Sequence, residues 1–334
     1  MGDSLIKEMK MRLLGNILCC GLLLVGVSAC SEITQQADPD FIPQNKHKSF
    51  SGKESPVVFV DEAHNNFLRI SDRYSAFAQV LKSDGYTVKS GKKNFSLKYL
   101  EQADILVVAN ALEQERRDWT PPYGDAFQND EVAAVKRWVE QGGALFLVAD
   151  HTPFPRAIEK LALAFGFEFS NGHVKNAVFR IENNTLARHA ITTGIIEDAK
   201  QPGQGGKKAP LLTESSELLL PSNAVTRVRA FGGSAFKTPE KAVSLLTLAD
   251  GVVSIIPDVP FQVTAETPRK MVNGWSQGAV MEFGQGRVAV FAEGMMFSSQ
   301  LDTKTGKKYG LTSKGAEQNE RFLLNVMHWL SGTI

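Results

Sequence analysis

Acid, base and amide side chains stand directly after four apolar runs of this chain. Residues 56–60 lead into Asp61-Glu62-Ala63-His64-Asn65, residues 105–109 into Asn110, residues 144–149 into Asp150-His151, and residues 288–292 into Glu293. Carboxylates and imidazoles gathered in one place support two chemistries. They can share a divalent metal, which lowers the pKa of a bound water and makes it a nucleophile. They can also pair as a general base and the group that orients it. Glu62, His64, Asp150 and His151 are therefore the candidate catalytic residues, and the same four are the candidate ligands of a divalent metal. Asn65, Asn110 and Glu293 are the candidate substrate-binding groups. The spacing is not a zinc signature such as His-Glu-x-x-His. Against the catalytic reading stands a structural one, in which Asp61 and Asp150 cap loops or helices and the two histidines are satisfied by backbone hydrogen bonds.

Other motifs weigh less. Gly274-Trp275-Ser276-Gln277-Gly278 matches the Gly-x-Ser-x-Gly nucleophile elbow, but that elbow needs a helix after it and here a strand follows, so it reads as a turn entering a hairpin. Gly232-Gly233-Ser234 reads as another turn. His173 and His189 read as loop or core histidines, with His189 able to approach the crevice. His328 reads as structural and Asn319 as a polar cap of the last helix.

The elements that position these groups follow from periodicity. Residues 56–60 form a strand, 70–83 a helix with Tyr74, Phe77, Ala78 and Leu81 on one face, 86–88 a strand, 97–102 a short helix and 104–110 a strand buried on both faces. Asn129-Asp130-Glu131 caps a helix carrying Val132, Val135, Trp138 and Val139, with its acids at the positive end of the dipole. A strand over 144–149 and a helix over 156–165 follow. This alternation predicts an α/β, flavodoxin-like or Rossmann-like fold with a mostly parallel sheet covered by helices on both faces. In such sheets ligands bind outside the carboxyl ends of the strands, where all four polar clusters fall. Residues 170–240 read as an insertion with a mobile loop at 201–208. Strands return at 243–248 and 252–256, residues 278–292 form a β-hairpin around Gly284-Gln285-Gly286, and a helix over 316–330 closes the domain.

The amino-terminal region carries a different signal. Lys7, Lys10 and Arg12 precede an apolar run of about 15 residues, shorter than the ~20 needed to span a bilayer, and Val27-Ser28-Ala29-Cys30 closes it. This resembles the lipobox of bacterial lipoproteins. Residues 1–29 are then a signal peptide, with Met9 or Met11 a more usual start than Met1, and Cys30 is the lipidation site that attaches the protein to a membrane. Ser31 after the cysteine implies an outer-membrane location facing the periplasm in a diderm organism. Residues 30–55, polar and sustaining no apolar period, read as a tether, and 56–334 as one domain. With the signal removed, the formal charge of +1 falls to about zero, so electrostatics gives no reason to expect a nucleic-acid partner. Cys19 and Cys20 leave with the signal, so disulfides and a cysteine nucleophile are excluded from the folded part.

Asp61-Glu62-Ala63-His64-Asn65-Asn66, the Ala109-Asn110 strand end, the run from Gly142 through His151 and the run from Gly284 through Phe297 together resemble a bacterial family of the class I glutamine amidotransferase-like superfamily, over residues 56–331. The resemblance implies a flavodoxin-like fold. Its relatives include domains attached to gliding and transport machinery and sugar-related proteins of the trehalose-utilisation type. True amidotransferases carry a cysteine within Gly-x-Cys-x-Gly after a central strand, and Ala149-Asp150-His151-Thr152 holds none, so thiolate-driven glutamine hydrolysis is not expected. The leading expectation is a lipid-anchored envelope hydrolase acting on a small molecule or glycan. The rival is a non-catalytic ligand-binding or scaffold module of an envelope protein complex. Buried convergence of the polar set would favour the enzyme, and dispersal with an exposed apolar patch the scaffold.

Overall fold

Four apolar runs pair side by side because each buries both faces, and a more polar, partly exposed strand flanks them at the edge. The computed structural model describes residues 34–52, 55–116, 118–193 and 223–334. Strands β2 (Val57–Asp61), β3 (Thr87–Gly91), β4 (Ile105–Ala109), β5 (Ala144–Val148) and β14 (Gly286–Phe291) are parallel, in the order β3-β2-β4-β5-β14. Every residue of β4 and β5 is buried. Alternate residues serve two cores: Ile105, Val107, Phe146 and Val148 face helices α1 (Ser75–Ser83) and α7 (Asn319–Leu330), while Leu106, Val108, Leu145 and Leu147 face α2 (Leu97–Leu100) and α3 (Asn129–Glu140). The fold is thus α/β and flavodoxin-like, as the strand and helix order predicts.

Beyond β14 the sheet turns antiparallel. Strand β13 (Ser276–Phe283) forms the hairpin with β14, β10 (Val243–Thr247) pairs with β13, and β9 (Phe236–Lys237) and β6 (Glu168–Phe169) complete nine strands. The hairpin turn needs glycine: a Cβ on Gly286 would stand 2.1 Å from the Gly143 carbonyl oxygen and 2.2 Å from that of Val139. This close approach seats β14 against β5 in parallel register, Phe291 opposite Val148. Their carboxyl ends therefore deliver Glu293 and Asp150 to the same edge.

Several elements differ from expectation in extent. Helix α1 starts at Ser75, because residues 69–75 close a turn in which Asp72 and Tyr74 amides bond to the Arg69 carbonyl. The helix expected over 156–165 is two short pieces, α4 (Phe154–Ala157) and α5 (Glu159–Ala164), broken at the buried Ile158. The last helix begins at Asn319 rather than 316. Within the expected insertion, β6 and β9 return to the central sheet. Strands β7 (Ala177–Arg180) and β8 (Arg227–Ala230) make a separate ribbon, with α6 (Ala190–Thr193) lying against α7 through a hydrogen bond from Asn325 to the Ile191 carbonyl. The loop at 201–208 lies outside the described residues. Strand β11 (Val253–Ile255) does not join the central sheet and pairs with β12 (Arg269–Met271).

The tether is corrected most. Residues 34–52 are folded onto the domain. Strand β1 (Gln35–Ala37) pairs with β15 (Ser299–Asp302), which pairs with β16 (Lys308–Gly310). Asp38 is buried and bonded to Lys308 at 3.0 Å, Phe41 enters the core, and the Gln44 and Asn45 amides donate to the Glu320 carboxylate. Cys30 and the signal segment lie outside the described residues, among which no helix is long and apolar enough to cross a membrane.

Candidate functional site

The site begins with an asparagine in a left-handed backbone. Asn110, fully buried at the end of β4, has φ +54°, a conformation that asparagine tolerates better than most residues. The bend turns its side chain across to the next strand. Its amide nitrogen donates to Asp150 Oδ2 at 2.8 Å, and its Oδ1 accepts the Asp150 backbone amide at 2.9 Å. The other Asp150 oxygen accepts the Gly294 amide. Burial pushes the Asp150 carboxyl up, opposed by the charge of His151 and by these two donors.

Glu293 sits one strand over and is 2% exposed. Its oxygens accept the amides of Met295 (2.7 Å), Met296 (3.0 Å) and Phe231 (3.3 Å). Burial, and then the negative charge of Asp150, still push its carboxyl up to about 8. Two carboxyls that cannot both ionise cheaply hold a proton between them near neutral pH. Gly233 (φ +80°) closes this wall, since a Cβ there would stand 2.8 Å from Glu293 side-chain carbons. Tyr74 completes the group: its buried hydroxyl has no hydrogen-bond partner among the described residues, and burial together with the charges of Asp150 and Glu293 raises it well above its ordinary value.

His151 forms the mouth. Its Nδ1 lies 2.7 Å from the Thr152 carbonyl oxygen, so that nitrogen carries the hydrogen and Nε2 faces outward from the bond. Its ring meets Phe261 edge-on at 4.5 Å, and Phe261 also contacts the His173 ring at 5.7 Å. Phe261 is 66% exposed with φ +62°, a conformation unusual for a bulky residue. The Tyr123 hydroxyl lies 2.7 Å from the Asp258 carbonyl oxygen and 2.6 Å from that of Trp119, tying the Phe261 loop to the Trp119 loop. Trp119 in turn packs on Phe67 and Phe154. An aromatic rim thus borders the Asp150 carboxyl. Burial, and then the charge of His151, hold His173 below its ordinary value.

The expected residues divide. Asp150, Asn110 and Glu293 converge, with His151 beside them. Glu62 and His64 do not join them. Glu62 accepts the Ser90 hydroxyl and the Ile70 amide. His64 is buried between two carboxylates, Nδ1 at 2.9 Å from Asp61 and Nε2 at 2.9 Å from Glu131. Burial opposes its charge, but Asp61 and Glu131 prevail and raise its proton affinity. With both ring nitrogens engaged, His64 has no lone pair for a metal. Among the described residues no group of three histidine, cysteine or carboxylate side chains forms a metal-ligand set. Asn65, exposed at φ +48°, donates to the Leu112 carbonyl and shapes the loop.

Tyr74 and Phe261 are not legible in the sequence as site residues. Glu131, which reads as a helix cap, does close a capping box with Gln128 but also accepts a hydrogen bond from His64 Nε2. Ser276 lies within β13, buried, its hydroxyl donating to backbone carbonyls, so it is not a nucleophile elbow. His189 packs on Trp329 near Arg287, at the amino-terminal start of β14 and away from the crevice. His328 bonds Asp84 at 2.6 Å. Asn319 is no cap: it bridges the Arg229 backbone and the Met296 carbonyl. A cavity of 730 Å³ lined by Val57, Asp104, Trp138 and Gly143 opens at the amino-terminal ends of the strands, remote from this chemistry.

No protein-family model and no curated protein matches the chain. Among solved structures, the mmIFT52 N-terminal domain superposes with a TM-score of 0.51 at 13% identity, over 82% of this chain and 97% of that one. A ThuA-like protein from Bacteroides uniformis gives 0.43 at 11% identity, over 84% and 94%. A protein described as a GMP synthase component from Thermoplasma acidophilum gives 0.41 at 9%, over 83% and 97%. The first likeness agrees with the α/β fold, and the other two are too distant to bear on this chain's chemistry.

Proposed function

We propose that this chain is a lipid-anchored cell-envelope hydrolase whose crevice takes a small molecule or glycan, with Asp150 and His151 as the groups that reach it. The observation that carries the reading is the pair of carboxyls, half-buried Asp150 and buried Glu293, brought together at the ends of adjacent parallel strands with an imidazole at their mouth. Environments that hold a proton on one of two carboxyls at neutral pH are those of acid–base sites. In the proposed reaction His151 Nε2, left with its lone pair by the Nδ1 bond to Thr152, takes a proton from water as its oxygen attacks the electrophilic carbon. The bond to the leaving oxygen breaks as that oxygen receives, through Asp150, the proton held by the Asp150–Glu293 pair. Glu293 does not touch the ligand; it sets the proton affinity of Asp150.

The superfamily membership suggested by the sequence motifs belongs to the same proposal, as does attachment through Cys30. A second reading, a binding module without turnover, is favoured by the exposed side chains of Phe261, Val263 and Met271. Chromogenic glycosides and esters, assayed with the wild type, Asp150→Asn and His151→Ala, separate the two. Turnover by the wild type, lost in both variants while folding is kept, supports the hydrolase. Ligand binding that survives in all three without turnover supports the module.

A further inference from the structure

We propose that the turn between β15 and β16, carrying Lys307, is the surface by which this protein lies against an anionic membrane. The inference rests on reading Cys30 as acylated. It comes from how Thr34 is held. Thr34 is fastened to this turn: its hydroxyl donates to Asp302 at 3.0 Å, and its carbonyl accepts the Thr303 amide (2.9 Å) and hydroxyl (3.0 Å). Gln35 stands opposite Asp302 in the β1–β15 register. Four residue steps separate Cys30 from Thr34, and even fully extended they span only about 14 Å. That is less than half the ~30 Å hydrocarbon thickness. An acyl-anchored Cys30 therefore keeps residues 302–308 at the headgroups.

The chemistry of the turn suits that place. Asp302 is occupied within its own loop, accepting from Thr34, Thr305 and the Lys304 amide. Asp38 is buried against Lys308, and Asp40 lies 3.9 Å from the same ammonium. Lys307 is exposed and stands 4.7 Å over the Tyr309 ring. A basic and aromatic tip is the combination that settles at a lipid–water interface, and each lysine near an anionic surface strengthens association about fivefold. The domain is then held on the bilayer in one orientation, where a free tether would let it swing.

The test uses the whole mature lipoprotein in vesicles of phosphatidylethanolamine and phosphatidylglycerol. With Cys30 acylated, a single introduced cysteine takes a fluorophore. Probes are placed at Lys307→Cys, and at Lys98→Cys and Glu240→Cys beside opposite edges of the central sheet, against a lipid-headgroup nitroxide quencher. The expected result is loss of most emission at 307 and little change at 98 and 240. Equal quenching at all three sites, with acyl chains confirmed on Cys30 by mass spectrometry, overturns the surface and leaves the anchor standing. A Cys30 mass without acyl chains overturns both.

Discussion

The Asp150–Glu293 pair makes folding stability fall with pH over a range where most proteins are indifferent. In the folded chain the Glu293 carboxyl is pushed from its ordinary 4.5 up to about 8, chiefly by burial. Between those values the folded state holds a proton that the unfolded chain releases, so stability declines as pH rises through the window and levels off above about 8. One extra proton bound to the folded state is worth at most about 1.4 kcal/mol per pH unit, or about 4 kcal/mol from pH 5 to pH 8. His64 adds a decline of its own, but its proton affinity is raised from 6.5, so its contribution is lost only above that pH. His173 and His189, both held below 6.5, add a rise with pH up to that value, and both remain in Glu293→Gln, so the carboxyl pair is read from the difference between the two proteins. Glu293→Gln removes the titration and leaves three backbone amides facing one acceptor oxygen where there were two. That costs about 1–2 kcal/mol at every pH. The wild type is therefore expected to be more stable than Glu293→Gln at pH 5 and less stable by about 2 kcal/mol at pH 8. Urea titrations followed by circular dichroism at half-unit steps give the two curves, which must cross. Parallel curves would refute the reasoning.

Other expectations follow from the same contacts. His64→Ala strands the Asp61 and Glu131 carboxylates and is expected to cost about 3–5 kcal/mol in a urea titration at pH 6; a cost below about 1 kcal/mol would show that the clamp is not charged. Phe41→Ala is expected to cost about 3 kcal/mol if residues 34–52 are part of the fold, and nothing measurable if they are a free tether. Phe261→Ala, at an exposed position, is expected to change stability by no more than about 0.5 kcal/mol while weakening any crevice ligand several-fold, read by calorimetry.

What the sequence makes legible is local. The β5 and β14 strands announce themselves as apolar runs, and the polar residue after each is found by reading one position further. Their adjacency turns Asp150 and Glu293, 143 residues apart in number, into one site. Sequence reasoning puts His64 in the crevice because its neighbours in the chain point there. Its actual partner, Glu131, lies 67 positions away on a helix start where an acid already has a sufficient local reason to be. Tyr74 sits in the apolar period leading into α1, which marks it as core, and nothing local shows that its hydroxyl ends beside two carboxyls. The segment 34–52 reads as a tether because it shows no apolar period. It is held by single anchors, Phe41 and the Asp38–Lys308 pair, and by bonds to residues more than 260 positions away that no window can see.

The proposed chemistry stands most directly on the protonation of Glu293. Carbon-13 NMR of carboxyl-labelled protein, titrated from pH 4 to 9 and assigned with Glu293→Gln and Asp150→Asn, reads it without a substrate. The expected result is a glutamate carboxyl that ionises near pH 8, absent from Glu293→Gln and moved to lower pH in Asp150→Asn, where the neighbouring charge is gone. A Glu293 carboxyl already ionised at pH 5 would contradict it, and with it the shared proton on which the proposed chemistry rests.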